Sequence, residues 1–380
     1  MNAGRLVVLG RDAQLTKERT MEAGDSNVSS WSEGQRCDLI ADFWTSLWSS
    51  IQLSILRDKG ADDLVHFKTL ILRTHQRTHF LEGLDKLHID RSLPPAIAAA
   101  RYHYLSNKIG GLNLQYIEES HKKVWIRYLP PVWSFPDLSL VAVPSSVQRA
   151  IFAGWHPFNG LSLGAPQLGF VVTKVVQEGE PYDEGYFLEY DHVLEPDERV
   201  QYLPTPKSPD FDPASAPSLD SAEWPAERLD KARRNFARGY VEDGIRTAVQ
   251  MYGEHAGSAL IANAARLCAL VKYEKVRADL GIHGNDARSF VQVEAALSRC
   301  ANEKMEVVEL RPGEYSVIRK NKLFEGQPVH LEMFSALFQY RVMAAKMLSA
   351  RLRVALMSVQ MEDAAVIEKW IVKDTVERQY

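Results

Sequence analysis

Apolar positions along the chain change period several times, and each change marks an element. From Asp38 to about Ile89 the spacing is helical, with Trp44, Leu47, Trp48, Ile51 and Ile55 recurring on one face. Gly60 breaks this run, and Leu64, Phe67, Leu70, Ile71 and Leu84 predict a second helix. Leu93-Pro94-Pro95 predicts a turn, and a third helix runs to Leu105 ahead of Gly110-Gly111. The period then falls to two. LNLQYIEE and KVWIRYLP alternate as a β-hairpin across Ser120-His121-Lys122. A helix around Pro144–Trp155 follows. Two further strand-like runs, GFVVTKVVQ and YFLEYDHV, are joined through Glu178–Gly185.

Residues 203–225 contain six prolines and read as an extended linker rather than a packed element. Beyond them the order of elements recurs. Helical signal covers 226–255 and 257–281, then a helix to Cys300. Strands MEVVEL and YSVIRK, a long helix over 330–348 and strands LRVALMSVQ and AVIEKWIVKD complete the chain. Identities fall at steady offsets. Ser106/Ser298, Ile126/Ile318 and Arg127/Arg319 differ by 192. Leu87/Leu280 and Ile89/Ile282 differ by 193, and Gln177/Gln360 and Asp191/Asp374 by 183. The expected fold is α+β, with two degenerate repeats, each a group of helices on a four-stranded antiparallel sheet. The expected division is a flexible tail at 1–37, a first module at 38–202, the linker at 203–225 and a second module at 226–380.

Composition narrows the class. The chain has 380 residues, 46% hydrophobic and 25% charged, ample for a sizeable core. A net charge of −4 with dispersed Lys and Arg leaves no basic footprint, so no nucleic-acid partner is expected. No apolar run reaches a membrane span, so no membrane role is expected. Cys37, Cys268 and Cys300 stand far apart without a C-x-x-C pair, which reads as reduced thiols and a cytoplasmic setting. No dinucleotide fingerprint, Walker loop, G-x-S-x-G elbow or H-E-x-x-H motif occurs, and no cofactor is expected.

Gly110-Gly111, the turn Gly179-Glu180-Pro181-Tyr182 and the strand Tyr186–Tyr190 follow helices, a hairpin and a helix in an order that resembles the vinyl-reductase-type small-molecule-binding domain. The 2-amino-thiazoline-4-carboxylate hydrolase-like family is similar. The resemblance covers roughly 90–192. It implies a pocket for a small molecule, with hydrolase-like chemistry or simple capture. The cysteines that flank this turn in metal-binding members are missing here, which argues against that zinc site.

Five stretches offer chemistry. His75, His79 and Glu82 stand at i, i+4 and i+7, a usable metal-ligand spacing, yet a solvated polar helix face has the same pattern. His103, between Tyr102 and Tyr104, is a candidate acid–base group at a helix end. GWHPFNG is the densest aromatic turn, and Trp155, His156 and Phe158 are its candidate ligand contacts. Trp133 sits on a proline-rich connection and could cover a pocket. Arg127, repeated as Arg319, could clamp a carboxylate, although an outward strand arginine paired with a glutamate is commoner. The favoured expectation is a cofactor-independent hydrolase or lyase for an aromatic or heterocyclic compound. His156 and His103 would be catalytic, and Trp155, Trp133, Tyr104, Phe158 and Arg127 would bind substrate. The alternatives are a non-catalytic sensor or binding protein, and a metal-dependent enzyme using His75 and His79. The second module would be a structural partner or support a homodimer.

Overall fold

The computed structural model describes residues 27–130, 142–205, 207–363 and 365–375. Trp133 therefore lies outside the described residues. Helix α1 (Glu33–Lys59) starts earlier than the tail assigned to 1–37 implies. The reason is a capping box. The Ser32 hydroxyl accepts from the Gln35 amide, and the Gln35 side chain accepts from the Ser32 amide.

Gly60 separates α1 from α2 (Ala61–Lys86) with φ 99° and ψ 177°, a conformation open essentially to glycine alone. A side chain there would meet nothing. Gly60→Ala is thus expected to cost about 1–3 kcal/mol of backbone strain, with no packing loss, as read by urea denaturation. An unchanged midpoint would contradict this.

Helix α3 (Pro95–Ile109) opens with proline in its first turn, where no amide partner is lost. It packs on a sheet made by β1 (Leu114–Ser120), β2 (Lys123–Tyr128), β3 (Leu168–Lys174), β4 (Asp183–Glu189) and β5 (Val200–Tyr202). The order is β1-β2-β4-β3-β5. Four strands are antiparallel. The fifth, beyond the four expected, runs parallel to β3, because residues after β4 turn back along the free edge of β3. Between β2 and β3 lie α4 (Ser145–Trp155), a 3-10 turn (His156–Phe158) and α5 (Asn159–Ser162).

The proline-rich stretch is packed rather than free. Prolines keep it extended, so its carbonyls and hydroxyls meet the outer face of the sheet. Arg127 donates to the Pro209 carbonyl, and Ser208 donates to Glu184 at 2.6 Å.

Next comes α6 (Ala226–Asp279), bent into two arms at Gly253 (φ 78°, ψ 168°), then α7 (Ala287–Cys300). The second sheet holds β6 (Lys304–Arg311), β7 (Glu314–Asn321), β8 (Leu352–Glu362) and β9 (Ala365–Asp374), all antiparallel in the order β6-β7-β9-β8. The helix expected over 330–348 is two, α8 (Glu332–Leu337) and α9 (Gln339–Leu348). The protein is α+β, with two largely antiparallel sheets.

The core is continuous across the chain. Trp48 of α1 packs on Phe67 of α2 and on Tyr240 of α6, with ring centroids 5.8 and 5.4 Å apart. The first arm of α6 is thereby held against α1 and α2. No helix among the described residues is long and apolar enough to cross a membrane.

Candidate functional site

A cavity of about 510 Å³ lies between α2, α3, the end of α4 and the first arm of α6. That is the size of a typical small-molecule site. Four histidines line it: His75, His79, His103 and His156.

Helical spacing puts His75 and His79 one turn apart on α2, with ring centroids 5.0 Å apart. The other wall forms where α4 ends. There the His156-Pro157 turn folds back over the sheet and lays the His156 ring on that of His103, at 4.3 Å and 12° between planes. Strand alternation directs Arg127 to the outer face and Tyr128 inward. The Tyr128 hydroxyl sits 3.5 Å from His103 Nδ1 and 3.3 Å from His156 Nε2. Asn159 Nδ2 donates to His103 Nε2 at 2.8 Å. Gln76 donates to Ser162 at 2.9 Å and, at 3.5 Å, to Asn159 Oδ1. These polar side chains are almost wholly buried: His103 is 4% exposed, His156 3%, Gln76 1% and Asn159 0%.

Burial sets the protonation of this pair. It holds His103 well below the ordinary histidine range, with His156 adding to the effect, and it lowers His156 to about 3. Both rings are neutral at pH 7. A depressed histidine contributes stability that is present above its unfolded pKa near 6.5 and is lost as pH falls toward the folded value. Between pH 6.5 and 5, His156 alone should remove about 2 kcal/mol. His156→Gln is expected to flatten that part of the profile. Equal slopes for the two proteins in urea melts at pH 7 and 5 would contradict the assignment.

The outer wall is charged and internally paired. His75 Nε2 donates to Asp243 on α6, and Tyr240 packs on the His75 ring at 4.7 Å. Burial pushes the Asp243 carboxyl up, but the hydrogen bond and charge of His75, with Arg246 at 3.1 Å, hold it below the usual carboxylate range. Burial, then the neighbouring His75, holds His79 low. Arg238 stands 3.6 Å from Glu242.

Two polar atoms on residues lining the cavity are buried without a hydrogen-bond partner, Trp155 Nε1 and His156 Nδ1. No family model matches the chain, and no curated protein or solved structure shows significant similarity to it.

The cavity brings together His75, His79, His103, His156 and Trp155. Other candidate residues lie apart. Glu82 is at the surface, 2.6 Å from Lys86. Among the described residues no three His, Cys, Asp or Glu side chains are grouped to hold a metal ion. Tyr104 packs on Tyr116, and Phe158 lies under the Arg73 guanidinium at 4.6 Å. Arg127 is consumed by Glu184 at 2.5 Å, Gln115 at 3.0 Å and the Pro209 carbonyl. The three cysteines are buried and free, and burial raises their thiols to about 11 or 12. Sequence reasoning missed Tyr128, Asn159, Gln76 and the whole α6 wall. One signal pointed to that wall: Gly239 and Gly244, two glycines inside a long helical run.

Proposed function

We propose that this protein binds a small, flat aromatic or heterocyclic molecule in the four-histidine cavity. The observation behind this is a cavity of about 510 Å³ whose wall carries the rings of Trp155 and four histidines. Aromatic walls from Tyr102, Phe236 and Tyr240 suit a planar occupant. The resemblance to the vinyl-reductase-type domain is consistent with the same reading.

In this proposal the chain is a duplication, and only its first half keeps an open site. Gly60 and Gly253 differ by 193, the offset of Leu87/Leu280, and both hold positive φ with extended ψ. The strand order β1-β2-β4-β3 parallels β6-β7-β9-β8. At the same offset His75 corresponds to Cys268 and His79 to Lys272. Cys268 is wholly buried, and Lys272 is bonded to Asp42 of α1. Glu294, which corresponds to Tyr102 at an offset of 192, is bound by Arg341 at 2.6 Å. Ion pairs occupy in the second half what is open in the first.

His103 and His156 act here as hydrogen-bonding groups. His156, lowered to about 3, and His103, held well below the ordinary histidine range, are both feeble bases at neutral pH. A hydrolase or lyase reading is favoured by a different feature, His75 held by Asp243 on the cavity wall, since a carboxylate orients an imidazole for proton abstraction.

The test is a ligand-observed NMR screen of planar aromatic fragments against the protein and against Gly239→Leu, which fills the cavity. Hits lost in the variant support the proposal, and hits retained in it refute it. Turnover of a hit that disappears in His75→Ala would favour the enzyme.

A further inference from the structure

We infer that the free edge of β8 is an interface, and that its partner is the β8 strand of a second copy of this chain, paired antiparallel about a two-fold axis.

Strand β8 closes one side of the second sheet, and among the described residues no strand lies beyond it. An edge strand presents a row of unpaired N–H and C=O groups, which proteins ordinarily blunt with charge, proline or a covering segment. Two other edges show such devices. Strand β3 holds the place in the first sheet that β8 holds in the second, and its edge is covered by β5 (Val200–Tyr202). Strand β6, the opposite edge of the second sheet, carries Lys304, Glu306, Glu309 and Arg311 within its 8 residues. Strand β8 is longer, at 11 residues, and has no covering strand among the described residues. Its charges, Arg353 and Glu362, stand near the two ends. Between them, residues 354–361 include no charge, proline or glycine. Met357 is 62% exposed and Met361 43%. Methionine is enriched at interfaces.

The strand is complementary to itself. Opposed residues of an antiparallel pair point to one face. Pairing with β9 therefore turns Val354 and Leu356 toward the core with Val372 and Trp370. After the bulge between Leu356 and Ser358, Val359 and Met361 take that same face, while Arg353, Ala355, Gln360 and Glu362 take the outer one. Setting Arg353 against Glu362 of a second copy matches faces on both sides of the bulge. Val354 then meets Met361, Leu356 meets Val359 and Ala355 meets Gln360. The axis falls between Met357 and Ser358, so the two bulges meet at the centre. A slip of one residue would set inner positions against outer ones.

An ion pair closes each end. Arg353 uses Nη1 alone on the Ala350 and Leu352 carbonyls, which leaves the rest of its fork for a carboxylate. Glu362 accepts from Gln360 at 2.6 Å and keeps further acceptor capacity. The backbone ladder supplies the attraction, and the charges fix the register. One strand edge is a small interface, so the dimer should be reversible and concentration-dependent.

Sedimentation velocity on the full chain, across a wide concentration range, should show a monomer–dimer equilibrium. Arg353→Glu sets two acids against each other at both ends, and Glu362→Arg sets two cations there. Each should weaken the dimer about tenfold, since opposite charges across strands are favourable and like charges are not. Both side chains are exposed, so melting temperatures should hardly change. The two changes combined restore opposite charges and should restore the dimer, which a damaged sheet would not do. A chain that stays monomeric at every concentration would overturn the inference. A dimer indifferent to both single changes, or not restored in the double variant, would overturn it as well.

Discussion

Gly239→Leu is expected to abolish binding of planar aromatic fragments, a loss of a hundredfold or more in affinity, while the protein becomes more stable. The two effects have separate causes. Gly239 lines the cavity, and a Cβ placed on it meets nothing within 4 Å. A leucine side chain there enters the open space and competes with any occupant. At the same time the residue stands inside α6, where glycine is about 0.5–1 kcal/mol worse than alanine or leucine. The leucine side chain can also cover the aromatic rings of Phe236, Tyr240 and Trp155 that line the cavity, which adds burial to that gain. A loss of binding through unfolding would lower the melting temperature instead. Calorimetry and fragment titration on one sample separate these cases, and a variant that binds normally would show that the occupant sits elsewhere.

Arg319→Met is expected to destabilise the protein by about 3–5 kcal/mol, the range for breaking a buried ion network by removing one partner. Arg319 donates to Glu303 at 2.7 Å and lies 3.5 Å from Glu368, both only about 1% exposed at the side chain. Arg341 binds Glu294 at 2.6 Å and reaches Glu368 at 3.5 Å. Without Arg319, Glu303 loses its ion-pair partner and Glu368 is left to share Arg341 with Glu294. Burial already pushes both carboxyls above their ordinary range. A raised carboxyl contributes stability present at low pH and lost as pH rises. The deficit of the variant should therefore shrink as pH falls from 7 to 5. Urea melts at the two pH values check this. A penalty under 1 kcal/mol, or one that grows in acid, would show that the cluster is not holding the second half together.

Local pattern made most of the elements legible. The helices α1, α2 and α3 follow from apolar spacing, and the Gly60 break follows from glycine chemistry. The hairpins follow from alternation. Elements without a periodic signal were hidden. Strand β5 is three residues long and is defined only by its partner β3. The stretch after it looks like linker because its bonds to Arg127 and Glu184 are long-range.

The candidate site divides in the same way. GWHPFNG was the leading ligand contact on sequence grounds, and Trp155 and His156 do line the cavity, while Phe158 turns away beneath Arg73. His75 and His79 read as a solvated face, because a helix period tells which residues share a side but not what lies opposite. What lies opposite is Asp243, 168 residues away. The role of Tyr128 was likewise invisible, since alternation gives its side of the sheet and not the two imidazoles above it.

The indole N–H of Trp155 offers the most direct reading of the site. Its 1H–15N signal can be identified by its disappearance in Trp155→Phe and followed while 2-naphthamide is added. Because the Trp155 ring lines the cavity, its signal should shift and saturate with the binding curve, with the indole signal of half-buried Trp224, away from the cavity, unmoved. If Trp155 stays in place while the probe binds, or if no indole moves at saturating probe, the four-histidine cavity is not where this protein holds its ligand.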